Sequence, residues 1–279
     1  LQPEAVETDL RRRSLMALTG ACLLCGCSGA VHRLPQINDG NLNVAQTEVQ
    51  GAGGPPPRRA VTDEEVVETM RSALHRIRPP ADQVCREMNI GVCEWKFRWS
   101  RDRSMNAGAG PSGLILVNRG IVEYAANEEE VALVIAHEIG HQAANHVATG
   151  QRNKAIGAAV GAILLGALGA AASYGSYDGA SVTRAAANAG SDIGGAIGGL
   201  SYSKEQEREA DYLAAVILYR SGVDLDKARG FLLTMARASG RKETGMLDSH
   251  PAGPERIAGW DRAVEEIRMS NGRLPQRAS

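Results

Sequence analysis

The stretch from Asn127 to Val147 constrains this chain more than any other part of it. Asn127 with Glu130 reads as a helix start, and Val131, Leu133, Val134, Ile135, Ala136 and Ile139 make the helix apolar on most faces. Such a helix has to be buried, yet its interior carries His137, Glu138 and His141. Each would incur several kcal/mol of desolvation if left unpaired there. Residues four apart on a helix share a face, so both imidazoles reach one point. His137-Glu138-Ile139-Gly140-His141 is the H-E-x-x-H arrangement of two metal-ligating histidines and an intervening base. Core histidines bonded to backbone carbonyls would account for the burial, but not for the spacing together with the Glu.

Zinc suits this donor set, and a catalytic zinc takes three protein ligands while keeping a fourth position for water. A third ligand must therefore come from elsewhere. His146 lies about 140° round an unbroken helix from His141, off the ligand face, and reads as a surface histidine. Downstream, the run from Ser203 to Asp211 sets several carboxylates at a helix start, where the macrodipole favours them in any case. Glu207 and Asp211, however, are four apart and share one face. One carboxylate can then bind metal while the other accepts the free N–H of a ligand His, which points to Glu207 as ligand and Asp211 as its neighbour behind the histidine.

The 279 residues, 43% of them hydrophobic, suffice for one sizeable core. A net charge of −1 leaves no basic field to recruit nucleic acid. Gly108 to Gly113 matches the dinucleotide fingerprint G-x-G-x-x-G, but a strand follows it where a helix is required, so no nucleotide is expected. Thr62 with Glu65 is a capping box opening a helix that Pro79-Pro80 should stop. Residues 92–99 and 113–118 read as strands, and helices are expected from Ser203 to Ser221, over 224–239 and over 254–269. Strands early and helices late argue for an α+β domain over 61–270, with 271–279 as a tail.

Arg11-Arg12-Arg13 followed by the apolar run Leu15 to Cys25 has the form of an export signal, too short to span a bilayer comfortably. Its end, Leu24-Cys25-Gly26-Cys27, resembles the lipobox of bacterial lipoproteins, with Cys27 as the lipidated residue; a cleaved signal or uncleaved anchor is the alternative. Ser28 after it favours the outer membrane. Residues 28–60, rich in Gly, Asn, Gln and Pro, read as a flexible tether. Export implies an oxidising compartment, where Cys85 and Cys93 form either a disulfide or two buried thiols. Ala155 to Ala172 is uncharged but poor in large apolar residues, and a single crossing there would separate His141 from Glu207. It reads as a packing segment or a flap near the cleft.

Taken together, the pattern from Val61 to Trp260 resembles the HtpX, CAAX-prenyl-protease, BepA and LoiP group of zinc peptidases. Glu207-Arg208-Glu209-Ala210-Asp211 matches that group's E-x-x-A-D, whose first Glu binds the metal. The resemblance implies a mainly helical, zincin-like α+β fold with a small β-sheet whose edge strand borders the active site. Asn106-Ala107, Gly113 and the strand from Leu114 to Asn118 correspond to that substrate-binding strand. His250-Pro251 with Glu255-Arg256-Ile257 corresponds to the group's H-P…R-I segment. The implied chemistry makes Glu138 the base for a zinc-activated water, with His250 or Arg256 helping the oxyanion. His250 has a second reading, as a fourth ligand that occludes the metal. The implied activity is zinc-dependent hydrolysis of unfolded or misassembled envelope proteins in the bacterial periplasm, from a lipid anchor in the outer membrane. A chaperone or scaffold that binds clients along the edge strand with little turnover is the other reading.

Overall fold

A computed structural model describes residues 29–155, 201–238, 250 and 252–278. The export signal, Cys27, Pro251 and the Gly/Ala-rich stretch from residue 156 to 200 lie outside the described residues. In chain order the rest forms α1 (Asp39–Gly51), α2 (Asp63–Met88), β1 (Lys96–Ser100), β2 (Ala107–Ala109), β3 (Leu114–Asn118), α3 (Arg119–Tyr124), α4 (Glu128–Ala143), α5 (146–155), α6 (Lys204–Arg220), α7 (Leu225–Ala238) and α8 (Pro254–Ser270).

The H-E-x-x-H helix, α4, is the axis of the fold, buried from Glu130 to Ala143. It is packed between α2, α6 and α7, while α8 lies across α6 and α1. Among the described residues no helix is long and apolar enough to cross a membrane. The sheet runs β1-β3-β2, with β1 parallel and β2 antiparallel to β3. Ile115 and Val117 of β3 point into the core. β3 is thus the middle strand, bonded on both sides, and the expectation that Leu114 to Asn118 forms the free edge is corrected. The edge beside α4 is the three-residue β2. Gly113 adopts φ +75° in the turn leading into β3, where a Cβ would come within 1.9 Å of the Glu94 carbonyl oxygen.

Three further expectations give way to tertiary packing. The helix opened by Thr62 runs through Pro79-Pro80 to Met88. The carbonyls that lose donors belong to His75 and Arg76, both exposed to water, while Ile77, Ala81, Val84 and Met88 continue the buried stripe. The tether is structured from residue 29. Asn38 and Asn41 form a reciprocal cap on α1, Ala45 is buried, and Arg229 of α7 clamps Glu48 of α1 (2.7 Å) and Asp261 of α8 (2.6 Å). The expected tail is tied to this segment as well, because Arg33 N–H donates to Gln276 O and Ala278 N–H to Val31 O, both at 2.8 Å.

Strand β1 begins at Lys96, since residues 92–95 are drawn away to the end of the metal helix, where Val92 N–H donates to Gln142 O at 3.2 Å. Cys93 in that loop is disulfide-bonded to Cys85 of α2, the first of the two alternatives.

Candidate metal centre

Close contact between α4 and α6 builds the site. A Cβ on Gly140 would sit 2.9 Å from the Ala210 carbonyl oxygen, so these backbones approach as nearly as they do only because residue 140 lacks one. That approach carries Glu207, at the start of α6, against the histidines of α4. His137 Nε2 and His141 Nε2 lie 3.1 Å apart. Glu207 Oε1 is 3.3 Å from His141 Nε2, and its Oε2 is 3.6 Å from His137 Nε2. His250, expected nearby, contributes Nδ1 at 3.2 Å from His137 Nε2 and 2.8 Å from Glu207 Oε1. Ligand atoms of all four residues fall within 4.8 Å of one another, and all four side chains are buried.

These residues fit a metal ion. Ligands held at about 2.0–2.2 Å in a tetrahedron are roughly 3.3–3.6 Å apart, close to the spacings found. His137 Nδ1–H donates to Asp211 Oδ1 at 2.8 Å, which leaves its Nε2 as a lone pair 3.1 Å from His141 Nε2, with Arg256 Nη2 at 3.3 Å. Two such lone pairs and a buried carboxylate oxygen without a hydrogen-bond partner, Glu207 Oε2, call for a cation between them. Burial holds His141 well below the ordinary imidazole value, keeping it neutral as a ligand must be. Burial pushes Glu207 the other way, but His250 and Arg256 outweigh it and keep the carboxyl well below the usual range.

Asp211 stands where the sequence placed it, behind His137, and Arg256 explains its ionisation. Burial opposes the charge, while Arg256 donates from Nε to Oδ2 (2.7 Å) and from Nη2 to Oδ1 (2.8 Å), lowering the Asp211 pKa. Most of this guanidinium therefore serves Asp211; Nη1 alone lacks a hydrogen-bond partner, 3.4 Å from Glu207 Oε2. Glu138 follows His137 on the helix, and both its carboxyl oxygens are buried without a partner. His250 Nε2 is 3.6 Å from Glu138 Oε1. Of the strand residues, Ala107 belongs to β2, whose last residue Ala109 packs on Tyr202. Asn106 precedes that strand, its carbonyl accepting from Asn118 N–H. Gln142 Nε2 donates to Gly110 O (2.7 Å) and Leu114 O (3.2 Å), pinning the turn that contains Gly113 to the metal helix.

His146 corrects the sequence reading. It is only 2% exposed, because Asn145 takes a left-handed φ of 62° that ends α4 and turns the chain back. The 140° offset from His141 holds only for an unbroken helix. His146 Nδ1 lies 3.0 Å from His141 Nδ1, and its Nε2 lies 3.0 Å from Glu209 Oε2. Tyr202 was also missed; its ring stacks on His141 with centroids 3.9 Å apart, and its hydroxyl is buried without a partner. One signal was available: the chain has six histidines, and only His75 lies outside the site and its hydrogen-bonded surroundings. A cavity of about 260 Å³ opens beside Glu207 and Arg256, walled by Arg208, Ala252, Gly253 and Pro254.

The model of peptidase family M48 matches residues 73–264. Similar proteins include the beta-barrel assembly-enhancing protease of Escherichia coli (strain K12), 30% identical over 173 residues, covering 59% of this chain and 33% of that protein. Metalloprotease YcaL of the same strain is 30% identical over 169 residues, covering 60% of this chain and 61% of its own length. Mitochondrial metalloendopeptidase OMA1 of Schizosaccharomyces pombe is 28% identical over 183 residues, covering 62% and 46%. The matched part of the chain thus spans about a third of the assembly-enhancing protease. With the match covering both histidines, Glu207, Asp211, His250 and Arg256, the chain belongs to peptidase family M48.

Proposed function

We propose that this chain is a zinc-dependent endopeptidase acting on unfolded or misassembled cell-envelope proteins. The observation that carries the reading is the buried cluster in which His137 Nε2 and His141 Nε2 stand 3.1 Å apart facing Glu207, beside a Glu138 carboxylate with no hydrogen-bond partner among the described residues. His137, His141 and Glu207 would hold the ion. Zinc, when bound, supplies an acidified water and an electrophile for the scissile carbonyl. Glu138 would take a proton from the attacking water and return it to the leaving amine; neither of its oxygens has a hydrogen-bond partner among the described residues, which leaves both available for the task. Two donors without a hydrogen bond among the described residues lie at the cluster, Arg256 Nη1, ion-paired with Glu207 at 3.4 Å, and the Tyr202 hydroxyl, and both are available to a carbonyl oxygen gaining charge.

We read His250 as an occluding fourth donor, since its Nδ1 stands within the ligand cluster. Replacing it, His250→Ala, then raises peptidase activity, whereas a large loss would assign it to transition-state stabilisation. β2 is the strand along which an extended substrate would lie, beside Tyr202 and His141. The envelope setting rests on the lipobox-like Cys27 and on the name of the assembly-enhancing protease. On this reading the enzyme works in the bacterial periplasm, lipid-anchored to the outer membrane. Casein digestion by the full chain, compared with Glu138→Gln and with chelator-treated protein, tests the activity. Equal rates in all three would overturn the enzyme and favour a binding protein with little turnover.

A further inference from the structure

His141 is braced by a chain of side chains that ends at His32, near the start of the described residues. Beyond His146, Glu209 accepts from four donors: His146 Nε2 (3.0 Å), His32 Nδ1 (2.5 Å), and the backbone N–H groups of Val31 (2.8 Å) and His32 (3.1 Å). Glu209 and both histidines are buried. Burial pushes the carboxyl up, but the bonds from His146 and His32 hold it at about 2. Geometry together with a metal on His141 Nε2 sets the proton positions. A metal on His141 Nε2 requires the proton on Nδ1, so His141 donates to His146 Nδ1, and His146 must then donate from Nε2 to Glu209. Only one tautomer of each ring satisfies every link.

Building on the proposed zinc-enzyme reading, we infer that the segment at Val31-His32 is a latch on the metal site, acting through Glu209 and His146 to fix the tautomer and orientation of His141. These are positioning residues. The latch lies in what composition alone marks as linker, four residues beyond Cys27, the expected end of the export signal. Whatever pulls on or displaces this segment would thereby act on the metal.

The test is zinc affinity, measured on the full chain by competition with a chromophoric chelator, beside the melting temperature of the metal-free protein. Glu209→Gln keeps the shape but cannot accept at both oxygens, and affinity should fall about 10- to 100-fold. His32→Ala removes one of four bonds and should weaken zinc several-fold. His32→Asn, whose amide N–H can take the place of Nδ1–H, should restore it. A role confined to folding would lower the melting temperature of His32→Ala and leave its zinc affinity at the wild-type value. That result, with a wild type that shows zinc-dependent hydrolysis, overturns the latch and spares the enzyme. A wild type that takes up no zinc overturns both.

Discussion

His137 and His141 stand one turn apart on the same helix, yet they are held in different ways. Behind His137 is a carboxylate one bond away, itself gripped by Arg256 through Nε and Nη2. That brace joins α4, α6 and α8 inside the core. Behind His141 a second imidazole intervenes before the carboxylate, and the line runs on to the start of the described chain. A charge-assisted fork is strong and rigid, while a string of separate links transmits any displacement at its outer end. One histidine is thus fixed by the catalytic core, and the other is held partly from outside it.

The largest effect should come from a change that touches neither brace. Glu138→Gln should reduce peptide hydrolysis by about 10²- to 10⁴-fold while zinc content and melting temperature stay at wild-type values. Retained activity would mean that the two braces serve some chemistry other than water activation. Next comes Asp211→Ala, which strips the inner brace. Zinc affinity should fall about 10- to 100-fold. Arg256, buried and deprived of its partner, should cost about 3–5 kcal/mol in denaturant unfolding. Adding Arg256→Met removes the orphaned charge, so stability should return while zinc affinity does not. If Asp211→Ala and Glu209→Gln weaken zinc and stability equally, the contrast between the two histidines is lost.

The His137–Asp211 half of the inner brace was legible in the sequence, whereas the grip of Arg256 on Asp211 and the whole outer brace were not. Positions 137, 141, 207 and 211 obey the four-residue helical rule, so local periodicity places all of them, and His250 and Arg256 follow from the resemblance. His146 escapes the rule because Asn145, in a left-handed conformation, restarts the helix. Glu209 lies between the two functional carboxylates but on another face of α6, where it reads as one more helix-start charge. The same reasons divide the fold. The capped, periodic helices α2, α4 and α6 are readable from their first residues. The strand Ala107-Gly108-Ala109 has no β-forming side chain and exists through pairing with β3. The passage of α2 through two prolines, and the docking of α1 by Arg229, depend on partners distant in sequence.

The disulfide sharpens the comparison from the His141 side. It closes the loop whose Val92 N–H bonds Gln142 O, next to His141. Closing so short a loop contributes about 2 kcal/mol. Cys93→Ser with Cys85→Ser should therefore lower unfolding stability by about that much with little change in zinc affinity. A loss of zinc as large as that of Asp211→Ala would make this loop a further brace.

The smallest effect is expected at the far end of the same helix. Glu130 sits in the first turn of α4, accepting Ala126 N–H at 3.0 Å and pressed against Gly230 of α7, where an added Cβ would meet its Oε1 at 2.4 Å. Burial raises its pKa from 4.5 to about 7, against the Ala126 bond and with help from Glu129. A carboxyl whose folded pKa exceeds its unfolded one keeps a proton on folding, so stability should decline as pH rises from 4.5 to about 7 and then level off. Allowing for the water that reaches a helix start, the decline is about 1 kcal/mol. Glu130→Gln retains the acceptor without the titration, so its melting temperature should exceed that of wild type increasingly across this window, with zinc affinity unchanged. Parallel pH profiles would remove Glu130 as the titrating group. A zinc affinity that moves with it would show that α4 carries strain along its length to both histidines, and would erase the distinction between a ligand fixed by the core and a ligand held from outside.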